Sequence, residues 1–243
     1  MSRNSTMART PASGRIATSN RFLIRDMGTS LDFTASTSTI NCGTNSVLNA
    51  TDDVSFAFWF KFTSPHRSGS ARKYVFRKDR PYIVNFHPDG SFEFAIRNAS
   101  SYQAMTTTKV YWEPNQWHHI TAVNSAVNGR TIYLDGVSIR TGSAVTPAGN
   151  SSTLFLGASD GAGADFFNGF LDDMRIYTRE LSAAEAMSLY QTGAASSTSL
   201  VAWYKFDEGT GSTANDSSGN GNTGTITGAI YSEDAPVGAR SVA

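Results

Sequence analysis

The sequence predicts an all-β fold, a two-sheet antiparallel β-sandwich with one short helix. The first observation is a strand in which every second residue is apolar, which places one face in a core. The second is a series of strand-length runs separated by turn signals, with no alternation of strand and helix. The apolar positions of that first strand are Val54, Phe56, Phe58, Phe60 and Phe62.

Further strands are expected at 74–77, 82–86, 91–97, 117–124, 130–134 and 153–157. Two of the intervening turns contain Asp-Gly, at Asp89-Gly90 and Asp135-Gly136. Glycine accepts a positive φ, so this dipeptide between apolar runs favours a hairpin. Neighbouring strands should therefore run antiparallel.

The predicted helix begins near Ser182, which could cap it, because Glu185 follows three residues later as a capping box requires. Gly193 would end it. The helix is short and lies late in the chain.

Composition limits the functional classes. The 243 residues are 40% hydrophobic and 16% charged, which permits one large β core. Twenty basic and twenty acidic residues balance, so we expect neither nucleic-acid binding nor membrane insertion. The single cysteine, Cys42, excludes an internal disulfide.

The predicted domain organisation has three parts: an extended basic arm over 1–29, one sandwich over 30–231, and a tail over 232–243. The arm lacks the continuous apolar region of a signal peptide, so no signal peptide is expected. It is expected to dock on a partner through five arginines: Arg3, Arg9, Arg15, Arg21 and Arg25.

Two stretches carry a family resemblance. GFLDDMRIYTRELS at 169–182, running on to 193, and the pair NQWHHITAV at 115–123 with TIYLDG at 131–136 resemble laminin-G-like, concanavalin A-like jelly rolls. The resemblance covers about residues 30–193. It implies a recognition sandwich of the same class that the strand pattern predicts.

A second block, LVAWYKFDEG at 200–209 followed by 216–225, resembles the opening strand and loop of that family, but here it comes last. The chain therefore resembles a circularly permuted member, with a core over 30–193 closed by 200–231. Sandwich termini often lie close together, which permits such a rearrangement. The alternative is donation of 200–231 to a neighbouring subunit.

The loop from Asp216 to Asn222 concentrates oxygen atoms, which are the ligands that Ca²⁺ prefers. Asp216, Asn220 and Asn222 are the candidate ligands, and Asp172 or Asp173 could complete the set. Resemblance to calcium-binding family members points to the same loop. The alternative is a turn rich in Asn, Asp and Gly.

No catalytic machinery is predicted, and the protein is not expected to be an enzyme. Gly157-Ala158-Ser159-Asp160-Gly161 matches the nucleophile-elbow pattern but lacks the following helix and a downstream histidine. Glu93 stands alone, where a solvent-facing strand position is the ordinary explanation. His118 and His119 are adjacent, so on a strand they point to opposite faces and cannot chelate one ion together.

Four aromatic residues are candidates for a sugar-binding surface, since aromatic faces stack on sugar rings. Core packing is the competing explanation for each of them. They are Tyr82, Tyr102, Tyr111 and Trp112.

A recognition fold without an export signal, carrying a basic arm, favours a phage virion surface component. In that hypothesis a capsid decoration or tail protein docks through its ends on other virion proteins in an oligomeric assembly. The alternative is a carbohydrate-binding adhesin or lectin module of a bacterial surface system, located outside the cell. Both leave room for glycan binding by the sandwich.

Overall fold

The computed structural model describes residues 28–66, 71–79, 81–160 and 165–236. The predicted docking arginines, Arg3, Arg9, Arg15, Arg21 and Arg25, lie outside the described residues. The strands in chain order are β1 Ser30–Asp32, β2 Thr39–Asn41, β3 Val54–Lys61, β4 Lys73–Lys78, β5 Tyr82–Phe86, β6 Phe92–Arg97, β7 Tyr102–Thr106, β8 His118–Ser125, β9 Gly129–Leu134, β10 Val137–Gly142, β11 Leu154–Leu156, β12 Phe170–Tyr177, β13 Leu200–Tyr204, β14 Thr213–Ala214, β15 Gly224–Thr227 and β16 Ile230–Ser232. The helices are a 3-10 turn at Ser46–Leu48 and α1 at Ala183–Thr192.

These strands form two antiparallel sheets, which confirms the predicted sandwich. Sheet A has the order β10-β9-β8-β3-β12-β1-β16, with β13 also paired to β12. Sheet B has the order β14-β15-β2-β11-β4-β5-β6-β7. Both predicted hairpins are present, since β5 pairs with β6 and β9 with β10.

The core lies between the sheets and is rich in aromatic rings. Alternate residues of β3 point into it, as their two-residue period predicts. The ring of Phe58 lies 5.5 Å from that of Phe76 on sheet B, and Phe60 lies 4.6 Å from Phe86. Such tilted and edge-on pairs add to the hydrophobic stabilisation of the core.

The turn between β9 and β10 shows why the sequence selects a hairpin there. Asp135 and Gly136 have φ values of 49° and 79°. Two successive positive φ values match the twist of a two-residue hairpin. Oδ1 of Asp135 also accepts one hydrogen bond from the backbone N–H of His119. Its Oδ2 lies 2.9 Å from Nδ1 of His118.

Helix α1 starts and ends as predicted and covers the outer face of sheet A. The Ser182 hydroxyl accepts from the Glu185 N–H, and the Glu185 carboxylate accepts from the Ser182 N–H, so the capping box is complete. Gly193 is left-handed, with φ 64°, and ends the helix. An apolar cluster beneath the helix includes Leu189, Tyr177 and Ala57.

The segment 200–231 packs on its own chain. Strand β13 pairs with β12, β15 pairs with β2, and β16 pairs with β1. Tyr204 and Phe206 of this segment are fully buried in the main core. The closing segment therefore packs on the sandwich of its own chain. The circular permutation relative to the order of the family stays a prediction.

The sandwich extends slightly past the predicted boundary at 231. Strand β16 runs to Ser232, and the carboxylate of Asp234 forms an ion pair with the buried Lys61. The Asp234 carboxylate also accepts from the indole N–H of Trp117 at 3.2 Å. The side-chain hydroxyl of Ser30 donates to the Asp234 carbonyl at 2.7 Å.

A chain that ends at residue 199 is expected to lose cooperative folding. It exposes the edges of β12, β2 and β1 and loses the buried Tyr204 and Phe206, each worth about 1.5–3 kcal/mol against a typical stability of about 5–15 kcal/mol. Circular dichroism during heating measures the effect, and adding a peptide of residues 200–236 should restore the transition. Val137→Ser, at an exposed edge position, is the control. A truncated chain that melts like the full chain contradicts the structural role of the segment.

Candidate functional site

The carboxylate of Asp216 is the centre of the loop that was predicted to bind calcium. Its Oδ1 accepts from the N–H groups of Trp203 at 3.0 Å and Ser218 at 2.9 Å. Its Oδ2 accepts from the N–H of Asn222 at 2.9 Å and from the Asn222 side-chain amide at 3.2 Å. Both oxygens therefore already serve to close the loop.

The two asparagines of this loop turn their amide nitrogens toward β13. Nδ2 of Asn220 donates to the Leu200 carbonyl at 3.0 Å, and Nδ2 of Asn222 donates to the Val201 carbonyl at 2.7 Å. They fasten the loop to the strand. This arrangement corresponds to the structural alternative, a turn held by Asx-type hydrogen bonds.

Asp173, one of the two residues expected to complete the calcium site, is held by a buried ion pair. Nε and Nη2 of Arg175 donate to its two oxygens, both at 2.9 Å, and the indole N–H of Trp203 donates to Oδ1 at 2.6 Å. Asp172 is fully buried on β12, opposite Trp59 in the register with β3. The carboxylate of Asp173 therefore neutralises the guanidinium of Arg175.

Among the residues predicted to bind calcium, the side chains of Asp173, Asp216, Asn220 and Asn222 are engaged in hydrogen bonds within the chain. Within the described ranges, no three His, Cys, Asp or Glu side chains come close enough to hold a metal ion. Ca²⁺ requires six to eight oxygen ligands, and the oxygens of Asp216 and Asp173 already accept N–H donors. The donor set present does not fit the ion in this arrangement, and calcium binding stays a prediction.

The four aromatic candidates divide into two pairs. Tyr82 and Trp112, 0% and 1% exposed, are core residues, so their prediction as ligand-binding residues is wrong. The hydroxyl of Tyr82 donates to the Leu48 carbonyl, and the indole N–H of Trp112 donates to the Gly90 carbonyl. Tyr111 is 46% exposed, and Tyr102 is half-buried on β7, so only these two can meet a ligand.

Glu93 is 5% exposed, so the expectation of a solvent-facing position is wrong. Its Oε1 accepts from Arg72 at 2.7 Å and from the Asn85 amide at 2.9 Å, and its Oε2 lies 3.0 Å from Nε2 of His87. A carboxylate held by these groups neutralises its neighbours. Burial of a charged residue is tolerated where it is paired in this way.

The other residues with catalytic potential also have structural environments. Cys42 is buried, and burial raises the pKa of its thiol to about 12, so the nucleophilic thiolate is disfavoured. His119 is buried beneath Tyr190, and burial lowers the pKa of its imidazole to about 3, with Arg175 adding to the effect. His118 points to the opposite face, toward Trp112, as strand geometry requires.

The outer face of sheet B is the best candidate for a recognition surface. We call it the open face, because no helix or strand in the described part of the chain covers it, whereas α1 covers sheet A. The register of β4 to β7 aligns its outward side chains in rows. Ile83 and Ala95, both buried, form its apolar floor. The side chains around that floor are Tyr74, Arg77, Asn85, Glu93, Arg97, Tyr102 and Ala104.

Two arginines on the open face lie against tyrosine rings. The guanidinium of Arg77 lies 5.3 Å from the ring centre of Tyr74, and that of Arg97 lies 5.2 Å from Tyr102. No ion pair in the part of the chain that the structure describes includes Arg77 or Arg97. The face therefore combines aromatic surface with cationic N–H donors that form no ion pair with a carboxylate of the described residues.

The arginines of the open face were not among the sequence-predicted site residues. Their signal was available, since each occupies an outward position of a predicted strand, 74–77 or 91–97. The pattern could not show that the outward side of sheet B stays uncovered while that of sheet A lies under α1. That difference depends on where residues 183–192 pack.

The fold defines the class of protein: an antiparallel jelly-roll sandwich, here with a polar and aromatic outer face on sheet B. The chain belongs to the concanavalin A-like lectin/glucanases superfamily, whose Laminin_G_3 model matches residues 34–187, more than half of the chain. This confirms the resemblance predicted from the sequence. A search of curated proteins finds no match to the chain.

Solved structures share the fold at low sequence identity. A Bacteroides ovatus protein proposed to bind carbohydrate has a TM-score of 0.69 at 16% identity, over 86% of this chain and 62% of its own. The binding domain of paraclostridial mosquitocidal protein 1 has a TM-score of 0.55 at 19% identity, over 68% and 43%. The ligand-binding domain of botulinum neurotoxin serotype D, solved with N-acetylneuraminic acid, has a TM-score of 0.53 at 15% identity, over 65% and 40%.

The chain spans less than two thirds of the length of each of these proteins. The similarity therefore establishes the fold. No helix in the described structure has the length and apolar character needed to cross a membrane.

Asp216→Asn is expected to destabilise the fold by about 1–2 kcal/mol at pH 7, because it removes a carboxylate that accepts four hydrogen bonds. Burial alone would raise the pKa of Asp216, but N–H donors from Asn222, Ser218 and Trp203 outweigh it, and the pKa lies below its ordinary value. The contribution is therefore present above about pH 4 and is lost as the pH falls through the folded-state pKa.

Urea denaturation at pH 7 and at pH 2.5 measures this, with the exposed Asp52→Asn as the matched control. Calcium is expected to leave the melting temperature of the wild type unchanged. An equal loss at both pH values would contradict the assigned role of Asp216, and a calcium-dependent rise would support the calcium prediction.

Proposed function

We propose that this protein is a non-catalytic glycan-binding module that uses the open face of sheet B. The observation that carries the proposal is the pair of unneutralised guanidinium groups, Arg77 and Arg97, beside tyrosine rings on the one face that no described element covers. Tyrosine rings offer an apolar surface to the C–H side of a sugar. Arginine N–H groups donate to hydroxyl and carboxylate oxygens.

The small floor of the open face suits a flat, shallow binding mode. Ile83 and Ala95 are 7% and 2% exposed, so a ligand on this face meets the half-buried Arg77, Arg97 and Tyr102 rather than the floor. A sugar ring can lie against Tyr102 with its hydroxyl groups directed at the arginines. The amide of Asn85 and the carboxylate of Glu93 are already engaged with each other, so they serve as a rigid border.

The solved structures support the same functional class. One of them is proposed to bind carbohydrate, and another was solved with N-acetylneuraminic acid. For this chain glycan binding is a proposal drawn from its own open face. An extracellular or surface-exposed location would accompany that function.

The family also includes glucanases, and several features favour a binding role over hydrolysis. A retaining glycosidase needs two carboxyl groups about 5 Å apart, one of them free to act on the substrate. Glu93 instead contacts Arg72, Asn85 and His87. Ser159 follows β11, and residues 165–168, the next described stretch after Asp160, are not helical, whereas a nucleophile elbow requires a helix after its serine.

Arg77→Ala and Tyr102→Ala are each expected to weaken glycan binding about tenfold or more, through loss of a charge-assisted donor or of stacking surface. A glycan array followed by isothermal titration with the strongest ligand measures the change. Arg140→Ala removes an exposed arginine from β10 of sheet A and is the matched control. An array without signal, or full binding by both variants, would overturn the use of this face.

A second candidate function, a phage virion surface component, is favoured by one feature of the fold. Strands β1 and β16 pair side by side, with Ser30 opposite Ser232 in an antiparallel register. The described chain therefore begins and ends at the same edge of the sandwich. This geometry suits a module attached through its ends, with the open face directed outward.

Deletion of residues 1–27 is expected to abolish incorporation into virions while the sandwich stays folded. The expectation follows from the basic composition of that segment, which precedes β1 in the chain. Co-sedimentation of the protein with purified particles measures incorporation, and circular dichroism checks the fold. Full incorporation of the shortened protein would refute attachment through this arm.

A further inference from the structure

Lys61 is a buried cation at the end of β3, on the outer face of sheet A. It is the next outward residue after Trp59, which contacts Tyr190 of α1, so Lys61 lies just past the area that the helix covers. The Lys61 side chain is only 4% exposed. A buried ammonium is tolerated only where a counter-charge and further contacts compensate for the loss of water.

Two aromatic rings flank this ammonium. Phe170 of β12 is the register partner of Lys61, and Trp117 comes directly before β8 on the other side of β3. Nζ of Lys61 lies 4.4 Å from the centre of the Phe170 ring and 5.2 Å from that of Trp117. The centres of the two rings are 6.3 Å apart. Aromatic faces attract a cation, so these three side chains form one unit, which we call the lysine cage.

The counter-charge of the cage comes from Asp234, which follows the last strand. Its Oδ2 pairs with Nζ of Lys61, and its Oδ1 accepts from the indole N–H of Trp117 at 3.2 Å. Each carboxylate oxygen therefore has a donor of its own. Among the described residues Lys61 forms no other ion pair.

The position that Asp234 occupies borders the solvent. Its side chain is 50% exposed, although the lysine that it neutralises is buried. Strand β16 ends at Ser232, and residues 233–236, which we call the latch, follow it outside the sheets. The Asp234 N–H donates to the Ser232 hydroxyl at 3.2 Å, and its carbonyl accepts from the Ser30 hydroxyl at 2.7 Å. A carboxylate from solution reaches the same two donors of the cage once the latch moves away.

We propose that the lysine cage is a carboxylate-binding site, that Asp234 occupies it as an internal ligand, and that a small external carboxylate binds there by displacing the latch. The cage offers one charged donor and one neutral donor to the two oxygens of a planar anion, beside an apolar wall. A neutral amide or hydroxyl leaves the buried ammonium without a counter-charge. The site lies on sheet A and does not depend on the open face of sheet B.

The covalent connection favours Asp234 over a free ligand. An internal ligand on a short flexible segment acts at an effective concentration on the order of millimolar. The apparent affinity for an external carboxylate is reduced by the fraction of molecules in which the latch is closed. Removal of the Asp234 carboxylate should therefore open the cage to ligands.

Asp234→Ala in the full chain, labelled with ¹⁵N, is expected to bind acetate at the cage. The readout is the indole N–H signal of Trp117, one of four tryptophans, which is identified by its loss in Trp117→Phe. Without ligand this signal should lie upfield of its wild-type position, because the N–H loses its carboxylate acceptor. Acetate should return it downfield in a saturable manner. Acetamide, which lacks the charge, should bind at least about tenfold more weakly, and sulfate at the same ionic strength controls for general anion effects.

The wild type should require at least about tenfold more acetate than Asp234→Ala, because the internal carboxylate competes. Glu233→Ala is the matched control, since it removes an adjacent exposed acid that belongs to none of the ion pairs between described residues. It should behave as the wild type. The double variant Asp234→Ala with Lys61→Met leaves no unpaired charge, so it should fold and lose the acetate response.

Two larger probes identify the kind of molecule that carries the carboxylate. Glucuronate represents a sugar acid, and N-acetylaspartate amide represents an acidic peptide. Each is titrated into acetate-bound Asp234→Ala, and the one that displaces acetate at the lower concentration identifies the source. Failure of both probes to displace acetate would overturn the assignment of a ligand site.

Three further results would overturn the proposal: an unchanged Trp117 signal when acetate is added to Asp234→Ala, equal affinity for acetate and for acetamide or sulfate, or equal acetate affinity in the wild type and Asp234→Ala. If Asp234→Ala does not fold alone, refolding in acetate against acetamide decides, because only the carboxylate should restore the fold. Glycan-array binding through the open face is measured separately, so the failure of one site is distinguishable from the failure of the other.

Discussion

The buried ion pair between Asp173 and Arg175 holds the strand on which both halves of sheet A depend. On one side β12 pairs with β3 along its length, and on the other it pairs first with β1 and then with β13. The register against β3 shifts between Asp172 and Arg175, and Asp173 has a φ of 46°. At this bulge the pairing of β12 changes from β1 to β13. Bulges commonly occur where strand pairing ends or changes.

The ion pair also explains how the C-terminal segment is fixed in place. The guanidinium of Arg175 lies 4.3 Å from the ring centre of Trp203, and the Trp203 indole donates to Asp173. Removal of one partner of a buried pair leaves an uncompensated charge, at a cost of about 3–5 kcal/mol. β13 is thus attached to β12 at this buried ion pair, and the Asp216 loop is attached to β13 through the Trp203 N–H.

The two sheets differ in how their outer faces are covered within the described residues. Sheet A is covered by α1, and its acidic residues near β13 are engaged in structural contacts. Sheet B keeps Arg77, Arg97 and Tyr102 on a face without a described covering element.

Local pattern predicted the strands, the hairpins and the helix well, because each depends on nearby residues. The two-residue period of 54–62, the Asp-Gly turns and the Ser182 capping box all have the predicted structure. The ligand-binding candidates were predicted less well. Tyr82 and Trp112 are chemically able to stack on sugars, yet they are buried, and Glu93 is paired with Arg72 from outside its hairpin.

The sequence by itself determined the fold class, the family resemblance, helix α1 and the strands β3, β4, β5, β6, β8, β9 and β11, since periodicity and turn chemistry act over a few residues. Only the tertiary structure decided which polar groups remain available. The carboxylate of Asp216 accepts from backbone N–H groups and that of Asp173 from Arg175 and Trp203, whereas Arg77 and Arg97 form no ion pair within the described residues. Those outcomes depend on contacts between residues far apart in the chain, and no short-range pattern encodes them.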